Sequence, residues 1–323
     1  MLFDKTKFNS YVVDPDKNCV LAIELKDHTL DVLTWIEENK LFLEELLLTY
    51  GAILLRDFEL YSVTGFNKVA KIFCNHLFDY QYRSTPRTKL GGQIYTATEY
   101  PKHRFIPLHN ENSYQHSWNS KILFFCIIPA LEGGETILGD SRRVYNMIDR
   151  GIVERFNQDG VLYVRNYHKN VDLSWQEVFQ TKDRNIVEQY CIENNINFEW
   201  GYGNPELRTT QVSQATIIHP ITRQHVWFNQ AHLFHSSAID LEDRAALIKE
   251  LGVENLPRNT FYGDKEEIPL EILEHIHEVY NKEKIKFPWH QGDILIVDNV
   301  LMAHGRETFK GDRKVAVAMG DSV

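Results

Sequence analysis

His109 and Glu111 stand two residues apart in Phe105-Ile106-Pro107-Leu108-His109-Asn110-Glu111. In an extended chain the side chains at i and i+2 leave the same face, so an imidazole nitrogen and a carboxylate oxygen reach one shared point. That is two thirds of a 2-His-1-carboxylate triad, the donor set that holds non-haem Fe(II) and leaves positions open for oxygen chemistry. A second histidine must come from elsewhere among the 14 in the chain. His232 and His235 lie three apart and could share a helical face, but no nearby acid completes a site and a structural role is the simpler reading. His304 is better placed. It follows Gly292-Asp293-Ile294-Leu295-Ile296-Val297-Asp298-Asn299, which reads as a buried strand ending in polar residues, and it precedes the strand-like run from Arg313 to Met319.

The same region offers an anion anchor. A guanidinium fork takes a carboxylate in two parallel hydrogen bonds, which a lysine cannot do. If Arg313 starts a strand, its face continues with Val315 and Val317 while Lys314 points away. Arg313, Arg306 and Lys314 are the basic residues near His304 that could anchor an anionic co-substrate.

These groups need a framework. Residues 1 to about 80 read as a mixed α/β lead-in. Asp27 to Tyr50 has helical spacing with a break near Asn39-Lys40, Ala52 to Arg56 is a short buried strand, and Thr64 can cap a further helix. From Tyr82 onward, short runs rich in β-branched and aromatic residues alternate with Gly, Pro and Asn. Regular short strands without helical periods between them indicate an antiparallel sandwich or barrel. Helical insertions interrupt it near 174–194 and 240–280. Without a repeat or a clean linker, residues 1–323 read as one domain.

Composition narrows the function. A hydrophobic share of 43% and a charged share of 25% describe an ordinary globular chain. A formal net charge of -10 repels phosphate backbones and argues against nucleic acid as a partner. Cys19, Cys74, Cys126 and Cys191 form no CxxC pair, which argues against a zinc ribbon or a disulfide framework. No signal-peptide pattern opens the sequence and no apolar run is long enough to span a membrane, so the expectation is a cytoplasmic protein.

Together, His109-Asn110-Glu111, Gly133-Gly134-Glu135-Thr136 and Asp298-Asn299 through His304-Gly305-Arg306 to Arg313 resemble the TauD/TfdA superfamily of Fe(II)/2-oxoglutarate-dependent oxygenases. Glutamate at 111 is similar to the clavaminate synthase-like branch. The segments Tyr82 to Thr88, Ile94-Tyr95-Thr96, Tyr163 to Tyr167 and Trp227-Phe228-Asn229-Gln230 resemble the syringomycin-biosynthesis-type amino-acid hydroxylases. The resemblance implies a mainly β fold with helical additions, a double-stranded β-helix (jelly roll) over 82–323 flanked by helices. It implies His109, Glu111 and His304 as iron ligands, with Thr136 and Arg313 contacting the co-substrate 2-oxoglutarate.

The implied activity is hydroxylation of an unactivated C–H bond in an amino acid, free or tethered to a carrier protein, in antibiotic-type specialised metabolism. A carboxylate at 111 fills the position that halogenating relatives leave open for chloride. Desaturation or cyclisation by the same chemistry is the alternative outcome; a Zn(II) hydrolase and a jelly-roll binding module are readings from other classes. Taurine dioxygenase has a second arginine four residues after the first, where this chain has Val317. Candidates for holding the substrate are therefore Arg87, Arg142 and Arg165, together with Tyr95, Trp227 and Asn229.

Overall fold

Two-residue alternation along the central strands builds the framework. In Ile294–Asp298, Ile294 and Ile296 pack with Leu123, Phe125, Ala316 and Ala318 on the side of the first eighty residues. Leu295 and Val297 face the other way, toward Phe124, Val315 and Val317. Both faces are buried, which is why these strands read as continuous apolar runs. The computed structural model describes residues 3–78, 82, 85, 87–169, 171–201, 203 and 205–322. Of the Tyr82–Thr88 motif, Arg83, Ser84 and Pro86 lie outside the described residues.

The main sheet has eight strands, in the order Phe8–Asp14, Cys19–Leu25, Ala52–Arg56, Ile294–Asp298, Asn119–Ile128, Lys314–Ser322, Ile94–Thr96 and Lys89–Gly91. Neighbours are antiparallel except Cys19–Leu25 beside Ala52–Arg56. The strands of the lead-in are thus hydrogen-bonded into the same sheet as the core. A three-stranded sheet of Ile106–His109, Met302–Arg306 and Thr136–Asp140 lies across from it. Leu138 and Met302 from this sheet join Phe124, Val315 and Val317 in one apolar layer. A mainly β jelly roll with helical additions is what the sequence leads one to expect, and the structure has it.

A four-stranded sheet, Asn197–Trp200, Leu207–Ser213, Val161–Tyr167 and Arg258–Tyr262, completes the β structure near the site. Within the 240–280 region, Arg258–Tyr262 stands apart from the helices. It is a strand between the helices Leu241–Leu251 and Leu270–Glu283, and its five residues are too few to show a period. The insertion at 174–194 likewise divides, into Trp175–Phe179 and Arg184–Glu193. Asn39 separates Val32–Glu38 from Lys40–Tyr50. The cap of the next helix is Ser62 rather than Thr64, its Oγ accepting from the Gly65 amide at 3.0 Å. All four cysteines are buried and free, and burial pushes their thiols up to about 12, so none is a nucleophile. Among the described residues no helix is long and apolar enough to cross a membrane.

One buried ion pair locks the sheet. Arg56 donates through Nε and Nη2 to the two oxygens of Asp293, at 3.1 and 2.7 Å, and Nη2 also reaches the Pro288 carbonyl at 2.7 Å. Removing one partner strands the other charge in the interior. Arg56→Met is expected to lower stability by about 3 kcal/mol in urea unfolding. A loss near the ~0.5 kcal/mol of a surface pair would show that the interior does not depend on it.

Candidate metal centre and active site

Strand pairing brings the two histidines together. Met302–Arg306 lies between Ile106–His109 and Thr136–Asp140, with His304 opposite His109 on one side and opposite Leu138 on the other. The imidazole centroids are 4.6 Å apart. Glu111 follows two residues after His109, and its backbone is held by Asn299, whose Oδ1 accepts from the Glu111 amide at 2.8 Å while Nδ2 donates to the Glu111 carbonyl at 2.9 Å. Asn110 is turned away from the cluster, its Nδ2 donating to Ser141 Oγ and the Asn299 carbonyl. One donor atom each from His109, Glu111 and His304 lies within 4.8 Å of the others. The residues 195 positions apart in sequence are neighbours because two strands pair.

The donor set suits a divalent cation. His109 Nδ1 sits 2.9 Å from the Pro107 carbonyl, and a carbonyl can only accept, so Nδ1 carries the proton and Nε2 keeps its lone pair. Burial, then the neighbouring His304, lowers its pKa to about 4, leaving a neutral ligand at pH 7. Glu111 is held well below the usual carboxylate range. Burial opposes this, and the Arg87 guanidinium, donating to Oε2 at 2.8 Å, together with His304 overcomes it. His304 Nε2 lies 3.6 Å from Glu111 Oε2, and its buried Nδ1 has no hydrogen-bond partner among the described residues. Two imidazoles and an ionised carboxylate, buried and converging, fit Fe(II) chemistry.

Two spaces open from the cluster. A narrow slot is lined by His109, His304, Thr136, Arg306 and Arg313. Thr136 Oγ1 accepts from Trp289 Nε1 at 3.2 Å. Arg313 is half-buried, with its guanidinium 5.8 Å from the Phe309 ring centroid, and among the described residues only its Nε is hydrogen-bonded, donating to the Gly134 carbonyl at 2.7 Å. Burial and the nearby Arg306 push Arg313 down to about 10. Gly134 is required there: at φ +71° it takes a left-handed turn, and a Cβ would meet Arg313 Cδ at 2.9 Å. Lys314 is exposed, and Arg306 binds backbone carbonyls, so Arg313 has the open fork.

The second space is a cavity of about 600 Å³ lined by His109, Glu111, Arg87, Arg104, Phe105, Gln230, Phe234, Asp240 and Arg258, among others. Of the six substrate-holding candidates, only Arg87 borders it, and its guanidinium holds Glu111. Arg142 instead folds back onto Asp140, two residues away, which also caps its helix. Arg165 is buried with its guanidinium over the rings of Tyr82 and Tyr167. Tyr95 packs in the apolar layer with Phe124 and Val317. Trp227 is a core ring set edge-on to Phe156. Asn229 braces the turn before helix Ala231–Phe234, donating to the Ala215 carbonyl and accepting from the Ala231 amide. These residues are polar or aromatic in type, yet their faces point into the core or onto local backbone. Of the other polar lining residues, Gln230 closes the Trp227-Phe228-Asn229-Gln230 segment but was not singled out from it, and Arg104, Asp240 and Arg258 lie on a loop, at a helix cap and at the start of a short strand, without any motif to single them out.

The family model described as taurine catabolism dioxygenase TauD, TfdA family matches residues 21–319. The dapdiamide synthesis protein DdaC of Enterobacter agglomerans is 44% identical over 281 residues, covering 87% of this chain and 85% of that protein. A clavaminate synthase-like protein of Arabidopsis thaliana is 30% identical over 302 residues, covering 88% and 86%. In fold, the chain is similar to the PvcB protein of Pseudomonas aeruginosa, with a TM-score of 0.56 at 12% identity over 98% of this chain and 92% of that one. Another structure of PvcB, described as an Fe, alpha-ketoglutarate dependent oxygenase from an isonitrile synthetic pathway, gives a TM-score of 0.54. With a family match across nearly its whole length and a relative at 44% identity, the chain belongs to the TauD/TfdA family of dioxygenases.

Proposed function

We propose that this dioxygenase uses Fe(II) and 2-oxoglutarate to hydroxylate an unactivated C–H bond of an amino acid or amino-acid derivative in specialised-metabolite biosynthesis, in the cytoplasm. The observation that carries the reading is the convergence of His109, Glu111 and His304 at the mouth of a slot that holds Arg313 and Thr136. DdaC is named for the synthesis of dapdiamide, and PvcB is described with an isonitrile pathway, which favours a biosynthetic role. Carrier-bound delivery of the substrate belongs to the same proposal.

Fe(II), bound with 2-oxoglutarate, supplies the oxidation of the C–H bond with oxygen as co-reactant, yielding succinate and carbon dioxide. The protein's part is positioning. His109 and His304 present neutral nitrogens, and Glu111 contributes the one negative charge. Arg313 takes the distal carboxylate of 2-oxoglutarate through its free fork. Thr136 donates to the same carboxylate, because the indole N–H of Trp289 can only donate and so turns the Thr136 proton toward the slot. The cavity holds the target carbon near the metal and keeps water out. Its apolar wall of Phe105, Ile106, Leu233 and Phe234 and its charged Arg104, Arg258 and Asp240 suit a small molecule with both a hydrocarbon stem and ionised ends.

Trp289→Phe keeps an aromatic ring in the apolar layer and removes that N–H together with the five-membered part of the indole. It is expected to raise KM for 2-oxoglutarate by about threefold to tenfold with kcat little changed, the weight of one hydrogen bond. An unchanged KM would remove Trp289 from the co-substrate site. The wider proposal is tested by a mass-spectrometric screen of proteinogenic amino acids and their carrier-bound forms with Fe(II), ascorbate and 2-oxoglutarate. Gain of one oxygen atom on a single compound supports it. Loss of two hydrogens instead points to desaturation or cyclisation.

A further inference from the structure

Arg306 lies two residues beyond His304 on the same strand, buried, with its guanidinium held by three backbone carbonyls. Nη1 donates to Tyr100 at 2.9 Å, and Nη2 donates to Pro101 and Arg104, both at 2.8 Å. Nearby, the Phe309 amide donates to the Lys102 carbonyl at 3.0 Å, and the Arg306 cation lies 5.0 Å from the Phe309 ring centroid. The segment so tied has no helix or strand of its own and is largely exposed. It nevertheless supplies Tyr100, His103, Arg104 and Phe105 to the wall of the large cavity. Across that cavity Arg104 forms ion pairs with Asp240 and Asp243, the latter at 3.2 Å, beside and within helix Leu241–Leu251.

A buried guanidinium bordering a slot for a carboxylate would ordinarily be counted as a second anion anchor. Donor arithmetic argues otherwise. Both hydrogens of Nη2 are committed to carbonyls, so neither two-nitrogen edge of the Arg306 fork is whole. Arg313 keeps its Nη1–Nη2 edge open. We infer that Arg306 is a positioning residue for the substrate cavity: it fastens the 100–104 segment to the strand that carries His304, and it does not anchor the co-substrate. The inference rests on the dioxygenase reading for its co-substrate half and on geometry alone for its loop half.

The test uses the full-length protein loaded with Mn(II), in wild-type form and as Arg306→Gln, Arg306→Lys and Arg313→Gln. Amide hydrogen exchange over 100–106 is expected to speed up about tenfold or more in Arg306→Gln, with the strands of the main sheet unchanged. Arg306→Lys, which keeps a donor group, should recover part of that protection. Binding of 2-oxoglutarate, followed by calorimetry, is expected to stay within about twofold of wild type in Arg306→Gln while falling at least about thirtyfold in Arg313→Gln. With Fe(II) in place of Mn(II), and with the compound that gains oxygen in the screen, Arg306→Gln should raise KM about fivefold or more and change kcat by less than about twofold, the mark of lost substrate positioning. If exchange over 100–106 does not change, Arg306 does not hold the segment and the inference fails. If 2-oxoglutarate binding falls in Arg306→Gln as it does in Arg313→Gln, Arg306 is an anchor and the inference also fails. If wild-type protein takes up no 2-oxoglutarate, the dioxygenase reading fails, and the exchange measurement still decides the loop half. Should Arg306→Gln unfold, Arg306→Lys carries the same comparisons.

Discussion

Replacing His304 by alanine is expected to weaken Fe(II) binding by more than about a hundredfold and to abolish succinate formation. Of the three donors, His304 is the cleanest to remove. Its Nδ1 has no hydrogen-bond partner among the described residues, and its Nε2 meets only Glu111 at 3.6 Å. Truncation would therefore delete the proposed ligand without breaking a protein hydrogen bond among the described residues, and the metal-free protein should unfold within about 1 kcal/mol of wild type plus the small cost of a cavity beside Phe124. Glu111→Ala behaves differently. Arg87 and Glu111 form a pair with almost no exposure, the guanidinium donating to Oε2 at 2.8 Å, so deleting the carboxylate breaks a buried charge pair. That variant should lose about 3 kcal/mol of stability in addition to metal binding. Equilibrium dialysis with Fe(II) under anaerobic conditions, read beside urea unfolding, separates the two effects. Retention of tight Fe(II) binding by His304→Ala would remove that residue from the metal centre.

Replacing Arg313 by alanine is the second large effect. KM for 2-oxoglutarate should rise by about a hundredfold, because truncating one side of a desolvated charge pair costs roughly 3 kcal/mol. Arg313→Lys should recover little of it, since an ammonium cannot offer two parallel donors to a carboxylate. The electrostatics favour this strongly. Arg313 is pushed down to about 10 by burial and by Arg306, so a carboxylate set against the guanidinium would stabilise its charge. Lys314 is exposed and Arg306 is tied to carbonyls, so neither can substitute. A KM within about threefold of wild type in Arg313→Ala would mean that another group binds the co-substrate.

The parts of this site that could be read from sequence lie at the ends of strands, where residue type and short spacing single out a side chain. His109 closes the strand Ile106–His109 and Glu111 follows in a turn, yet their donor atoms converge as the i, i+2 spacing suggests. Arg313 does not start a strand as its sequence context suggests: it stands one residue before Lys314–Ser322, whose register shifts between Lys314 and Val315. His304 could be picked from among the other histidines because a fully apolar strand leads up to it. The rest depends on which strands pair, and spacing along the chain carries no information about that. Trp289 is known to Thr136 only through the fold. The clamp of Asn299 on the Glu111 backbone joins residues 188 positions apart. Arg142 and Arg165 looked like substrate-binding cations because residue type alone does not show whether a guanidinium finds an aspartate two residues away or a pair of tyrosine rings. The 100–104 segment has no periodicity at all, and its importance appears only once the three carbonyls around Arg306 are counted.

Succinate formation by purified protein, measured with and without Fe(II), is the most direct test of the chemistry assigned to His109, Glu111 and His304. With Fe(II), oxygen and 2-oxoglutarate, wild-type protein should convert 2-oxoglutarate to succinate and carbon dioxide in equal amounts, slowly alone and faster with its substrate, and His304→Ala should form none. Absence of succinate from wild-type protein across the amino-acid screen, or equal succinate formation by His304→Ala, would contradict it.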